Sequence, residues 1–190
     1  FCRPNALFDA DTFFATDKHP LTQNMKSNPD IHLEMKGSVA VVRLTRPTKR
    51  NALNDGLIAS LRHIFENLPQ EARAAVVAGD GDHFCAGLDL SELKERDAGE
   101  GLYHSRSWHT ALDRVQSGNV PVIAALHGAV VGGGLELASA CHIRVADEST
   151  FYALPEGTRG IFVGGGGSVR IPKLIGVARM TDMMLTGRVY

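Results

Sequence analysis

The 190-residue sequence predicts an α/β fold with parallel strand pairing. Three observations carry that prediction. Short apolar runs of strand length alternate with segments whose apolar residues recur at helical spacing, the pattern of strand–helix–strand units. The length suits one domain and is short for two, and such a chain buries roughly 70% of its extended surface, enough for a core without disulfides or metals. Half of the 20 glycines lie between Gly128 and Gly167, at junctions between elements.

The elements follow in order. Ile31 to Met35 and Val39 to Leu44 alternate around Lys36-Gly37-Ser38 and predict a hairpin. Asn54-Asp55 offers a cap, and Leu57, Ile58, Leu61, Ile64, Phe65 and Leu68 then fall on one helical face. Ala74 to Ala78 is a buried-strand run ended by the Gly79-Asp80-Gly81-Asp82 turn. Ser91 to Arg96 is expected to start a charged helix. Residues 97–106, polar with Gly99 and Gly101, are expected to form a mobile loop that covers a ligand. Trp108, Leu112 and Val115 continue as helix. Val120 to Leu126 is a strand, Leu135 to Ala140 a helix, Ile143 to Ala146 and Thr150 to Ala153 strands, and Ser168 to Leu185 mostly helix. Residues 1–24 are expected to be a tail or upstream sequence, since Met25 is the first methionine, and 25–190 a single domain. The stop at Tyr190, just after a helical pattern, leads us to expect a missing closing element.

Composition excludes several functions. Twenty Lys and Arg against 21 Asp and Glu give a formal net charge of −1, against nucleic-acid or membrane binding by bulk charge. Charged residues at 22% and hydrophobic ones at 44% argue against wholesale disorder. No apolar run approaches the ~20 residues of a membrane span. Three cysteines with no CxxC point to a reducing, cytoplasmic setting.

Candidate chemistry narrows by elimination. Gly132-Gly133-Gly134 at a strand-to-helix junction offers bare amides and a helix dipole, an anion site. Gly164-Gly165-Gly166-Gly167-Ser168 lacks the lysine of a triphosphate cradle, neither cluster fits GxGxxG, and GxSxG and HExxH are absent. His104 and His109 are spaced off a shared metal-binding face, so the histidines read as surface or satisfied groups. Cys85 and Cys141 read as buried structural thiols. Two acids stand out. Glu136 lies in the apolar stretch Leu135-Glu-Leu-Ala-Ser-Ala, and Glu156 ends Tyr152-Ala-Leu-Pro-Glu. Singly, each is as well explained by helix-dipole complementation or an exposed turn. Together, beside amide-rich junctions, they suit paired acid–base work next to an oxyanion site.

From about Ile31 to Tyr190 these residues resemble the enoyl-CoA hydratase/isomerase (crotonase) family. The resemblance rests on Arg46-Pro-Thr-Lys-Arg-Asn-Ala-Leu-Asn54, His83-Phe-Cys-Ala-Gly-Leu-Asp-Leu90, His127-Gly-Ala-Val-Val-Gly-Gly-Gly-Leu-Glu-Leu137 and Leu154-Pro-Glu-Gly157 with the later glycines. It implies a spiral of ββα units followed by a helical trimerisation region, here expected to be truncated. Glu136 and Glu156 would be the catalytic pair, and the amides of Leu88 and Gly133 the oxyanion hole. Ala52, Ala86, Leu88, Asp89, Leu90, Ser91, Gly133 and Gly164 would contact the acyl-CoA, with Gly164 near the attacking water. The implied reaction is hydration of a 2-trans-enoyl-CoA, a hydro-lyase step with no metal or redox cofactor, coenzyme A being part of the substrate. A homotrimer or dimer of trimers is the implied assembly, with no nucleic-acid or membrane partner. Double-bond isomerisation and a non-catalytic acyl-CoA-binding role are the alternatives. Four departures stand out: Ser91 where a basic residue is frequent, a contact that would be lost or moved to Lys94, His142 for Asp, Gly157 for a branched residue, and Val163 for Pro. The last two are expected to touch the acyl pocket.

Overall fold

The computed structural model describes residues 28–92 and 97–190; the expected tail, residues 25–27 and Lys94 lie outside them. Strands β1 (Ile31–Lys36) and β2 (Val39–Leu44) form the expected antiparallel hairpin, with Ile31 opposite Leu44. To β2 are added, all in parallel, β3 (Ala74–Gly79), β4 (Val122–Leu126) and β6 (Ile143–Ala146), giving the order β1-β2-β3-β4-β6. Parallel strands need helical crossovers that cover the sheet, so they read as continuous apolar runs. In β2, Ala40, Val41, Val42 and Leu44 are all fully buried.

A second, smaller parallel sheet pairs β5 (Ala129–Val131) with β7 (Phe151–Ala153). Single bridges, Cys85 to Val130 and Leu53 to Leu88, extend it. The chain therefore repeats one pass four times: a strand in the large sheet, a short segment in the small sheet, then a helix. The helices are α1 (Asp55–Glu66), α2 (Ala98–Gln116), α3 (Gly133–Ala140) and α4 (Gly167–Ile175), and α5 (Val177–Thr186) follows. This is the spiral of ββα units expected above.

Local chemistry explains the helix starts. Asn54 caps α1 by accepting from the Leu57 amide at 2.7 Å, and the helix buries Leu57, Ile58, Leu61 and Phe65. Every residue of α3 is buried, because this helix packs against α2, α4 and β5.

Two expectations change, and two details go beyond the sequence reading. Residues 97–106 are not a loop: Asp97 accepts from the Glu100 amide at 2.8 Å and opens α2 at Ala98. The cap and the apolar stripe of Trp108, Ala111, Leu112 and Val115 outweigh the helix penalty of Gly99 and Gly101. Where a charged helix was expected from Ser91, Leu90–Glu92 forms one 3₁₀ turn, and 93–96 lie outside the described residues. The helical stretch after Ser168 is two helices, broken at Gly176, whose φ of 84° no L-residue adopts readily. Strand β5, only three residues between glycines, was too short for periodicity to reveal.

Candidate active site

The passes of the spiral deliver their functional groups to one cavity of about 280 Å³, lined among others by Leu88, Gly133, Glu136, Glu156, Gly164 and Gly165. Leu88 comes from the second pass, Gly133 and Glu136 from the third, and Glu156 and the glycine run from the fourth. Helix α2 supplies one wall through Gly101, His104, Ser105 and Trp108.

Leu88 and Gly133 both line the cavity, and the segments that carry them run close together. Around Leu88, the Gly87 carbonyl accepts from Leu53 at 2.7 Å and the Asp89 amide donates to Leu53 at 2.8 Å. In a ladder those flanking bonds turn the N–H of Leu88 to the opposite side of its strand. The neighbouring Gly87 lies close to the 131–133 segment: a Cβ added to it would stand 2.8 Å from the Val131 carbonyl and 3.3 Å from the Gly133 nitrogen. Gly133 is the first residue of α3, where an N–H has no carbonyl partner within its own helix. The three glycine amides expected to be bare are not all so, since Gly132 donates to the Ala153 carbonyl at 2.9 Å.

Glu136 is 4% exposed on the first turn of α3. Its Oε1 accepts from the amides of Gly165 (2.7 Å) and Gly167 (2.9 Å). Burial pushes its carboxyl up to about 7, against the two amides, which favour the anion; neighbouring Glu156 raises it further and Arg170 lowers it. Glu156, 6% exposed, reaches the cavity from the turn after β7. Its Oε2 is fully enclosed with no hydrogen-bond partner, and burial raises its carboxyl, opposed by its own backbone amide and by Arg159. Two buried carboxyl groups in one cavity, one held by two glycine amides and one with an enclosed, unpartnered oxygen, have the unequal environments that suit acid–base work.

The glycines shape this pair. A side chain on Gly132 would put its Cβ 2.7 Å from Glu156 Oε1, and one on Gly167 would lie 2.7 Å from Glu136 Cγ. The run 164–167 thus serves as backbone that approaches Glu136 closely. Gly164, expected to hold water, lines the cavity and accepts from Ser105 Oγ at 3.2 Å, while the amides aimed at the carboxylate belong to Gly165 and Gly167. Sequence reasoning missed those two residues.

The other expected contact residues part company from the cavity. Ala52, Ala86, Asp89, Leu90 and Ser91 are not among its lining. Asp89 is 6% exposed and ion-paired with Arg46 at 3.0 Å and Lys49 at 3.8 Å. It also accepts from the Ser91 hydroxyl at 2.6 Å, the main cause that holds its carboxyl down at about 2. Arg46 in turn donates to the Ala52 carbonyl at 2.8 Å, and Ala86 donates to the Arg50 carbonyl at 2.9 Å. These residues brace the Arg46–Asn54 loop against the 86–91 segment. Gly157 and Val163 do not line the cavity either: Gly157 packs against the Met184 backbone, and Val163 is buried beside Gly167.

Among the described residues, several histidines have structural partners and two cysteines are buried, as expected. His83 accepts from the Ala129 amide at 3.1 Å and His142 from the Val122 amide at 3.0 Å. His104 meets Asp55 at 2.9 Å. Cys85 and Cys141 are free and buried, their thiols pushed up to about 12 by desolvation.

Comparison with known proteins bears on this geometry. The Enoyl-CoA hydratase/isomerase family model matches residues 34–190. Enoyl-CoA isomerase/hydratase claC of Penicillium crustosum is 37% identical over 158 residues, 80% of this chain and 18% of that protein. The fatty acid oxidation complex subunit alpha of Shewanella oneidensis is 44% identical over 116 residues, 60% of this chain and 16% of its own length. The chain thus spans about a sixth of the length of the curated relatives it matches. A solved Rhodopseudomonas palustris protein, assigned as an enoyl-CoA hydratase, superposes with a TM-score of 0.84 at 63% identity, covering 88% of this chain and 66% of that one. The enoyl-CoA hydratase of Bacillus anthracis superposes with a TM-score of 0.77 at 34% identity, covering 84% and 64%. The ββα spiral agrees with that match over most of the chain, which belongs to the enoyl-CoA hydratase/isomerase family.

Proposed function

We propose that this chain carries the active site of an enoyl-CoA hydratase, adding water across the 2,3 double bond of a 2-trans-enoyl-CoA. The observation that carries the reading is the convergence of Glu136, Glu156 and the Leu88 and Gly133 segments on one cavity. An isomerase needs one carboxyl group to move one proton; hydration uses two, one for the water and one for carbon.

The chemistry follows from the two environments. The thioester oxygen lies between the N–H groups of Leu88 and Gly133, which stabilise the enolate charge that develops as water attacks; such donors contribute about 3 kcal/mol each in oxyanion holes generally. Glu136, whose Oε1 is held by two amides that favour the anion, takes the proton from water through its other oxygen as the water oxygen bonds to C3. Glu156, with an enclosed and unpartnered oxygen that favours the neutral acid, delivers a proton to C2. The net change is one water added, and the step draws on no metal or redox cofactor. Acyl-CoA is the partner of the site, trimeric assembly belongs to the same reading, and the free buried thiols of Cys85 and Cys141 favour a cytoplasmic setting.

The test is turnover of crotonyl-CoA, followed by loss of the conjugated thioester absorbance. Glu136→Gln and Glu156→Gln are each expected to lower kcat by about 10²-fold or more with little change in KM. Activity of the Glu136→Gln variant at the parent level would overturn the two-glutamate reading. Conversion of a 3-enoyl-CoA that survives either single substitution would replace hydration by isomerisation.

A further inference from the structure

Arg170 is the buried cation nearest the catalytic pair, and nothing in the reaction above uses it. It lies on α4, 8% exposed, and each nitrogen of its guanidinium has an acceptor. Nη1 donates to the Gly165 carbonyl at 2.8 Å, Nε donates to Gln116 Oε1 at 2.5 Å, and Nη2 pairs with Asp113. Gly165 is the residue whose amide, on its other side, donates to Glu136 Oε1 at 2.7 Å. The Gly166 position also bears on this contact: a Cβ there would sit 2.4 Å from Nη1, so the chain passes close over the guanidinium.

Resting on the hydration reading, we infer that Arg170 is a positioning residue for Glu136: anchored on Asp113 and Gln116 of α2, it clamps the Gly165 carbonyl and so aims the 165–167 amides at the Glu136 carboxylate. An arginine suits this role because its planar fork meets three acceptors in fixed directions, which a lysine's single ammonium does not. The clamp also ties α2, whose Gly101, His104, Ser105 and Trp108 wall the cavity, to the catalytic carboxylate. Arg170 does not itself line the cavity; it reaches the lining through the Gly165 carbonyl, so it acts on Glu136 and not on the substrate. Among the described residues, the charged and titratable groups facing the Glu136–Glu156 pair are Arg159 beside Glu156, Arg170 from α4 and His104 from the α2 wall, with Asp113 and His109 of α2 beside the guanidinium.

Arg170→Gln removes the cation and the clamp. In the intact protein with crotonyl-CoA, kcat is expected to fall about 10-fold to 100-fold with KM changed by less than about threefold, the signature of a misplaced group. The acidic limb of the kcat/KM profile is expected to move up by about one pH unit, because the lost positive charge had favoured ionised Glu136. Arg170→Lys restores the limb towards its parent position while kcat recovers only in part. A kcat loss with an unmoved limb would mark a merely structural arginine and overturn the inference, as would an unchanged kcat. Should Arg170→Gln fail to fold, Asp113→Asn, which frees one anchor at a side chain 60% exposed, is expected to lower kcat at constant KM, and no change there overturns the clamp. A readout without turnover separates this inference from the function. The infrared carboxyl band that disappears in Glu136→Gln is expected to titrate at higher pH in Arg170→Gln. If that band shifts while Glu136→Gln keeps full activity, the clamp stands and the hydration reading falls; if activity depends on Glu136 but the band does not shift, the clamp alone falls.

Discussion

Gly132 shows how tightly single residues are bound to the chemistry. It sits between β5 and α3 at φ 54° and ψ −121°, a conformation open to glycine and strained for any residue with a Cβ. The absent side chain also leaves the space that Glu156 Oε1 fills, 2.7 Å from where the Cβ would be. Gly132→Ala is therefore expected to cost about 1–3 kcal/mol in stability from backbone strain. It also displaces the Glu156 carboxyl, so kcat for crotonyl-CoA is expected to fall further than the folded fraction does. Circular dichroism melts beside initial rates separate the two effects. A variant that melts lower but turns over normally at a temperature where it is fully folded would free Glu156 from this constraint. The residues around Asp89 are built differently. That carboxylate is satisfied by Arg46, Lys49 and Ser91, so its substitution is expected to loosen the Arg46–Asn54 loop and leave the Glu136–Glu156 pair in place.

At the scale of elements, α2 matters most, because its first turns are also the wall of the cavity. Its start depends on the Asp97 side chain, with Gly99 and Gly101 both weakening the turn that follows. Asp97→Ala is expected to cost about 1 kcal/mol through the lost cap. Hydrogen exchange is expected to quicken at 98–103 and not at 108–116, where Trp108, Leu112 and Val115 are buried in the core. Equal exchange along the whole helix would show that the cap is irrelevant to its start. This helix also marks where the sequence was silent. The apolar spacing from Trp108 onward was legible, but the polar turns before it carry no periodicity, and the cap alone does not outweigh two glycines on paper. The hairpin, α1 and the parallel strands were legible because their apolar patterns are long or cleanly bounded. Glu136 and Glu156 were legible as acids in apolar surroundings. Their supports were not, because the Gly165 and Gly167 amides lie 29 and 31 residues from Glu136 and Arg170 lies 57 residues from Asp113. Contacts of that span come from the winding of the spiral, which no local pattern encodes.

The winding has a consequence for the molecule as a whole, since it brings two carboxyl groups into the interior and links global stability to pH. The Glu136 carboxyl is raised from 4.5 to about 7, mainly by burial, and the Glu156 carboxyl is raised for the same reason. Below about pH 4.5 Glu136 is protonated in both folded and unfolded chains, and its favourable contribution is fully present. Between 4.5 and 7 the folded chain keeps a proton that the unfolded chain releases, so stability falls as pH rises, by about 1.4 kcal/mol per unit for one such group. Above 7 the loss levels off, at about 3 kcal/mol for Glu136. Glu136→Gln removes this dependence while keeping an oxygen that accepts from Gly165 and Gly167. The melting temperatures of parent and variant are therefore expected to lie close together at pH 4.5 and to separate by several degrees by pH 7.5, with the variant higher. The same ionisation sets the reaction's pH dependence in the opposite sense. On the proposed mechanism activity needs the Glu136 anion, so kcat/KM is expected to fall as pH drops below about 7. Activity and stability then change in opposite directions over one pH interval, and differential scanning calorimetry beside rate profiles reads both. Parallel melting curves for parent and variant across that interval would mean that Glu136 ionises at its ordinary value, and the interior site would not be the source of the coupling.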